Sequence, residues 1–158
     1  MVDRIPDRNG SLIKIDDEDR LFRRIRAQRK FGDYEISDGK IYLTDNAFDA
    51  SHGEPSVSVD IERLCIDGAE EVKNRLKAKG GENNGVAVLI AGEVRKIPKQ
   101  YVGNRAVDAC QYHVKNNPAH GRIYGIPPFT LFDLDLLKAR LKLLANSRKL
   151  AIDPKWGA

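Results

Sequence analysis

The chain has 158 residues, 41% of them hydrophobic and 32% charged, and a net charge of +4. That length suits one domain, able to bury about two-thirds of the surface its unfolded form exposes, and the longest apolar run, residues 86–91, is far short of the roughly 20 residues that span a bilayer. Two cysteines, Cys65 and Cys110, exclude a disulfide framework and make a reducing cytoplasm the default setting, and the opening MVDRIPDRNG has no apolar signal core.

Residues 1–15 carry Pro6, Asn9 and Gly10 with little periodicity and read as a flexible arm. A helix N-cap at Asp16 or Asp17 then fits, with acids in the first turn and Leu21, Phe22 and Ile25 on one face. A strand over 20–25 is the alternative that so short a segment leaves open. Residues 31–48 read as a hairpin, because Asp38-Gly39 between alternating apolar positions suits positive φ. A loop over 49–56 leads to the alternation of Val57, Val59 and Ile61, a short strand.

Residues 68–79 predict a helix stopped by Gly80-Gly81, with Val72 and Leu76 four apart. The run 86–94 predicts a strand buried on both faces. Residues 99–107 have no dominant pattern. Strands over 108–114 and 122–126 form a hairpin across the loop at Asn116-Asn117-Pro118, and Pro127-Pro128 ends it. A long amphipathic helix near 133–147 follows, with Leu134, Leu137, Leu141 and Leu144 on its inner stripe. The scattered element order predicts one α+β domain over 16–158 with a mixed or antiparallel sheet.

Charge is uneven along the chain. Residues 94–158 hold 12 Lys or Arg against 4 Asp or Glu, a net +8, which leaves −4 for residues 1–93. Positions 20–30 hold six cations: Arg20, Arg23, Arg24, Arg26, Arg29 and Lys30. An outward basic surface made of these arginines with Lys138, Arg140, Lys142, Arg148 and Lys149 would hold an acidic protein or nucleic acid. Local pairing with the acids at 16–19 competes with that reading. Trp156, in the tail after Pro154, either docks on its own domain or anchors in a partner.

The candidates for chemistry are sparse. Cys110, His113 and His120 mix thiolate and imidazole, but four ligands at tighter spacing are the rule for zinc, so no metal is expected. His113, Asn117 and His120 on a hairpin are the likeliest reactive group of a nuclease-like enzyme. Arg23 or Arg24, Thr44 and Glu62 or Glu93 supply the residue types of an ADP-ribosyltransferase triad without a spacing that requires it. Glu93 and Lys96 lie three apart, which on a strand points them to opposite faces and defeats a restriction-type metal site. No glycine-rich phosphate loop is present, and no cofactor is expected.

The segments Leu-Phe-Arg-Arg-Ile (21–25), Leu-Thr-Asp-Asn-Ala-Phe (43–48), Ser-Val-Asp-Ile-Glu-Arg-Leu (58–64) and Asn-Asn-Pro-Ala-His-Gly-Arg-Ile-Tyr-Gly (116–125) resemble those of a group of short bacterial proteins of unassigned function. The resemblance implies a bacterial, cytoplasmic protein and marks 21–25, 43–48 and 117–125 for inspection. The expectation is a small accessory protein of a multi-component bacterial assembly, binding an acidic protein or nucleic acid through its basic surface. The alternative is an enzyme acting on nucleic acid or a nucleotide.

Overall fold

The computed structural model describes residues 14–49, 56–74, 83–98, 107–112, 117, 119–125 and 134–155. The elements expected over 75–79 and 126–133 fall outside them, as do His113, Trp156 and the arm up to residue 13. Ile15, placed in that arm by sequence, is 1% exposed and belongs to the core.

The protein is α+β, and every strand pairing among the described residues is antiparallel. In chain order come β1 (Arg20–Ile25), β2 (Tyr34–Ser37), β3 (Lys40–Leu43), β4 (Ser56–Ile61), α1 (Ala69–Asn74), β5 (Gly85–Ile90), α2 (Ala91–Arg95), β6 (Asp108–Gln111), β7 (His120–Tyr124) and α3 (Leu134–Asn146). Five strands form one sheet in the order β5-β1-β4-β7-β6, and β2 and β3 form a separate hairpin. That hairpin turns on Asp38 and Gly39, at φ 50° and 75°. Two consecutive positive φ values match the twist of the strands they join.

Residues 20–25 are a strand, not the helix favoured by periodicity. The acids before them close a tight turn instead of capping a helix: Asp19 N donates to Asp16 O, and Asp16 N donates to Asp19 Oδ2. β1 then pairs on both sides, with Leu21 opposite Ile61 and Leu89. Two ladders and two packed faces outweigh a local preference that five or six residues express weakly.

The apolar run from 86 also divides. It is strand to Ile90 and helix from Ala91. The 16–19 turn ends the strand, because Ala91 N donates to Asp19 O and Gly92 N to Asp17 O.

One sheet face carries the main core. Leu21, Ile25, Val57, Val59, Ile61, Ala87, Leu89, Ala109 and Ile123 meet Tyr34, Phe48, Val94 and Leu143 there. On the other face Phe22, Val86 and Val88 lie against Val72 of α1. The leucine stripe of α3 differs from its sequence reading: Leu143 is fully buried and Leu144 partly so, but Leu141 is 45% exposed. The reason is that α3 packs on the 3-10 turn Asp45–Phe48 through Arg140, which turns Leu141 outward.

The C-terminal segment beyond α3 covers the outer edge of β5. Arg148 N donates to Val88 O, Ala151 N to Val86 O, and Val86 N to Ile152 O. An edge strand's open N–H and C=O groups are thereby satisfied within the chain.

Candidate functional site

Most of the arginines expected on a basic surface are tied into the fold. Arg20 Nε lies 3.1 Å from Glu62. Arg26 forks onto buried Asp33, with Nε at 2.9 Å and Nη2 at 2.6 Å, and its Nη2 is 3.6 Å from Asp49. The hydrogen bond to Asp33, opposed by burial, raises the Arg26 pKa. Arg140 reaches Asp45 and Asp49, and Arg148 reaches Glu93. Arg95, outside the expected set, joins Asp17 and Asp108 at 2.7 and 2.6 Å.

Arg23 is a different case. Its side chain enters the core face and donates to three carbonyls: Ala47 O at 2.9 Å, Ser58 O at 2.8 Å and Asp49 O at 3.3 Å. β1 pairs with β4 at two positions, and beyond them this guanidinium bridges the strands. Burial lowers its pKa to about 10, with nearby Asp33 and Asp49 opposing the shift. It is therefore a charged strut at neutral pH whose guanidinium is spent on backbone carbonyls.

The lysines divide from the arginines. Lys138, Lys142 and Lys149 are exposed and have no carboxylate partner among the described residues, and the same holds for Arg29. Two hollows flank the C-terminal end of α3. The larger, about 570 Å³, lies between the β2–β3 hairpin and residues 144–153. Ile41, Tyr42, Leu43, Leu144 and Leu150 line it, with Lys40 and Lys149 on its rim and Asp153 its one lining acid. The smaller, about 340 Å³, is lined by Lys96, Ile97, Pro98 and Lys142, with Glu93 already joined to Arg148. Tyr42 is 51% exposed at the larger one. Sequence reasoning missed Lys40 and Tyr42, and weighed Lys96 only beside Glu93 as a metal site. The signal for Lys40 and Tyr42 was a polar-edged hairpin, but its position beside α3 is a tertiary fact.

The remaining candidates meet on the second sheet face. Alternation along β1 puts Arg24 beside Phe22 there. The ladder sets Ser58 opposite Arg122, Asp60 opposite His120, and Cys110 opposite Arg122. Asn117 is buried, donates Nδ2 to Asp60 Oδ1 at 3.0 Å and accepts from Ala119 N. His120 Nδ1 donates to Tyr112 O at 2.9 Å, its ring edge-on to Tyr112 at 5.9 Å. Arg122 lies over the same tyrosine, 4.2 Å from the ring centroid, and its Nη1 donates to Ser56 Oγ at 3.3 Å. Segments 21–25, 58–64 and 116–125 therefore converge here.

The other chemical groupings are dispersed. Thr44 Oγ1 donates to Gly32 O, Glu62 joins Arg20, and Glu93 joins Arg148, so Arg24, Thr44 and a glutamate do not assemble. Among the described residues no three His, Cys, Asp or Glu gather as a metal ligand set, and no helix is long and apolar enough to cross a membrane. No family model, no curated protein and no solved structure matches this chain.

Proposed function

We propose that the protein is a small accessory protein of a bacterial cytoplasmic assembly that docks an acidic, apolar-anchored segment of a partner protein at the end of α3. The observation that carries this reading is the sorting of cations. Lys40, Lys96, Lys142 and Lys149 rim two hollows without carboxylate partners among the described residues. Arginines of the same region are consumed by Asp45, Asp49 and Glu93. An aliphatic floor under a cationic rim takes apolar anchors from a peptide whose flanks are acidic, and like-charged partners are rejected.

The test is fluorescence anisotropy of a labelled peptide with alternating Asp/Glu and Leu/Phe, titrated with the full chain at low and high salt. Binding that weakens with salt and falls about tenfold or more in Lys142→Glu/Lys149→Glu supports the reading. No binding by the wild-type chain, or displacement of the peptide by single-stranded RNA at lower concentration, overturns it.

A further inference from the structure

A sheet leaves open backbone groups at its outer edges unless something takes them. On the main sheet both edges are met. The C-terminal segment bonds Val86 and Val88 of β5. At β6, Ala109 N donates to Asp108 Oδ1 and Ala109 O accepts from Arg95 Nη2.

The β2–β3 hairpin differs. Tyr34 stands opposite Leu43 and Ile36 opposite Ile41. Thr44 N donates to Asp33 O in the same register. Hydrogen-bonded pairs alternate along an antiparallel ladder, so Glu35 with Tyr42 and Ser37 with Lys40 are the next ones. Ile41 and Leu43 therefore turn their N–H and C=O groups away from β2. Among the described residues nothing bonds those two donors and two acceptors.

The larger hollow lies along this edge. Five consecutive residues, Gly39 to Leu43, line it. A cavity over one face of a strand meets alternate residues only, so this one runs beside the backbone, for about 13 Å at the usual rise per residue. Leu144 and Leu150 also line it. With Ile41 and Leu43 they pack on the main core, so its floor continues that core.

The rim decides between occupants. Lys40 and Lys149 have no carboxylate partner among the described residues, Arg148 is held by Glu93, and Asp153 is the one acid in the lining. A second copy of the chain would bring the same lysines into the groove, where like charges repel, whereas an acidic strand is attracted.

We propose, resting on the acidic-partner reading of this hollow, that the partner's segment adds to β3 as a further strand, its backbone bonded to Ile41 and Leu43. Residues of that strand opposite Ile41 and Leu43 share their face, toward the leucine floor, and are apolar. Those opposite Lys40 and Tyr42 take the other face and are acidic beside Lys40. The pattern that fits has a period of two, which a helical segment does not supply. Main-chain bonds give such docking its affinity and alternate side chains its specificity. The added strand also widens a hairpin that two strands alone hold weakly.

The experiment uses the alternating Asp/Glu and Leu/Phe peptide in three forms: unmodified, N-methylated at its acidic residues, and N-methylated at its apolar residues. Successive N–H groups of a strand point to opposite edges. In one methylated form the blocked amides face β3, and binding falls about tenfold or more. In the other they face away, and binding stays within about twofold of the unmodified peptide. The amides of Ile41 and Leu43 gain protection from hydrogen exchange when the unmodified peptide is added. Both methylated forms binding as the unmodified peptide does, or both failing alike, overturns strand addition and leaves the acidic-partner reading standing. No binding of the unmodified peptide overturns both. Ile41 and Leu43 amides already protected in the chain alone also overturn strand addition by a partner: in a dimer a second copy holds the edge, and in a monomer a segment of this chain does.

Discussion

Replacing Gly85 by Ala tests how the C-terminal segment is held and whether it builds the larger hollow. A Cβ at Gly85 would lie 2.6 Å from Pro154 Cδ and 2.7 Å from both Ile152 O and Pro154 N. Carbon contacts settle at about 3.5–4.0 Å, so the overlap is close to an ångström against backbone on two residues. The segment yields before β5 does, because β5 is paired along its whole length with β1. Three hydrogen bonds of 2.8–2.9 Å adjoin the clash, Val86 N to Ile152 O, Ala151 N to Val86 O and Lys155 N to Asn83 O, beside a longer one from Ile152 N that shares Val86 O. At about 1 kcal/mol each their loss is roughly 3 kcal/mol, and keeping them at the cost of strain gives a similar 1–3 kcal/mol, roughly. For a chain of this size that lowers the melting temperature by about 6–12 °C. Hydrogen exchange locates the change: the amides of Val86, Ala151 and Lys155 lose protection. Leu144 and Leu150 line the hollow, so acidic-peptide binding weakens too. A melting temperature within about 1 °C of wild type, with those amides still protected, refutes the reasoning.

Among the described residues, Arg140→Met leaves Asp45 without its cation and Asp49 with Arg26 alone. Its side chain is 13% exposed, so urea unfolding should show a loss of about 2–4 kcal/mol. Adding Asp45→Asn should return part of that loss, and a fully additive double variant contradicts the pairing. Tyr34→Phe removes the 2.6 Å bond donated to Ala27 O, for about 1 kcal/mol near neutral pH. Burial raises the Tyr34 pKa. The unfolded chain therefore loses this proton first, near pH 10, and the tyrosine's contribution declines as pH rises from there towards the folded pKa. The stability gap between wild type and Tyr34→Phe should narrow between about pH 8 and about pH 10.5, and a constant gap counts against it.

The parts of this fold legible in the sequence are those decided by near neighbours. Asp38-Gly39 announced its hairpin because both residues accept positive φ. The alternation at 57–61 and the two short runs either side of Asn116-Asn117-Pro118 yielded β4 and the β6–β7 pair. Uneven charge was equally visible. Where competing local preferences were close, partners distant in the chain decided. Residues 20–25 became a strand because Ile61 and Leu89 flank them, and the run from 86 bent into helix because the 16–19 turn blocks its path. The sorting of cations belongs wholly to the tertiary structure. Arg140 is 95 residues from Asp45 and 91 from Asp49, and Arg24 comes within range of Asp60 through the pairing of β1 with β4. A sequence records how many charges there are and their local order. Which of them are neutralised and which face a ligand depends on distances of a few ångströms, because ion pairing and desolvation act at that range and sheet topology sets it.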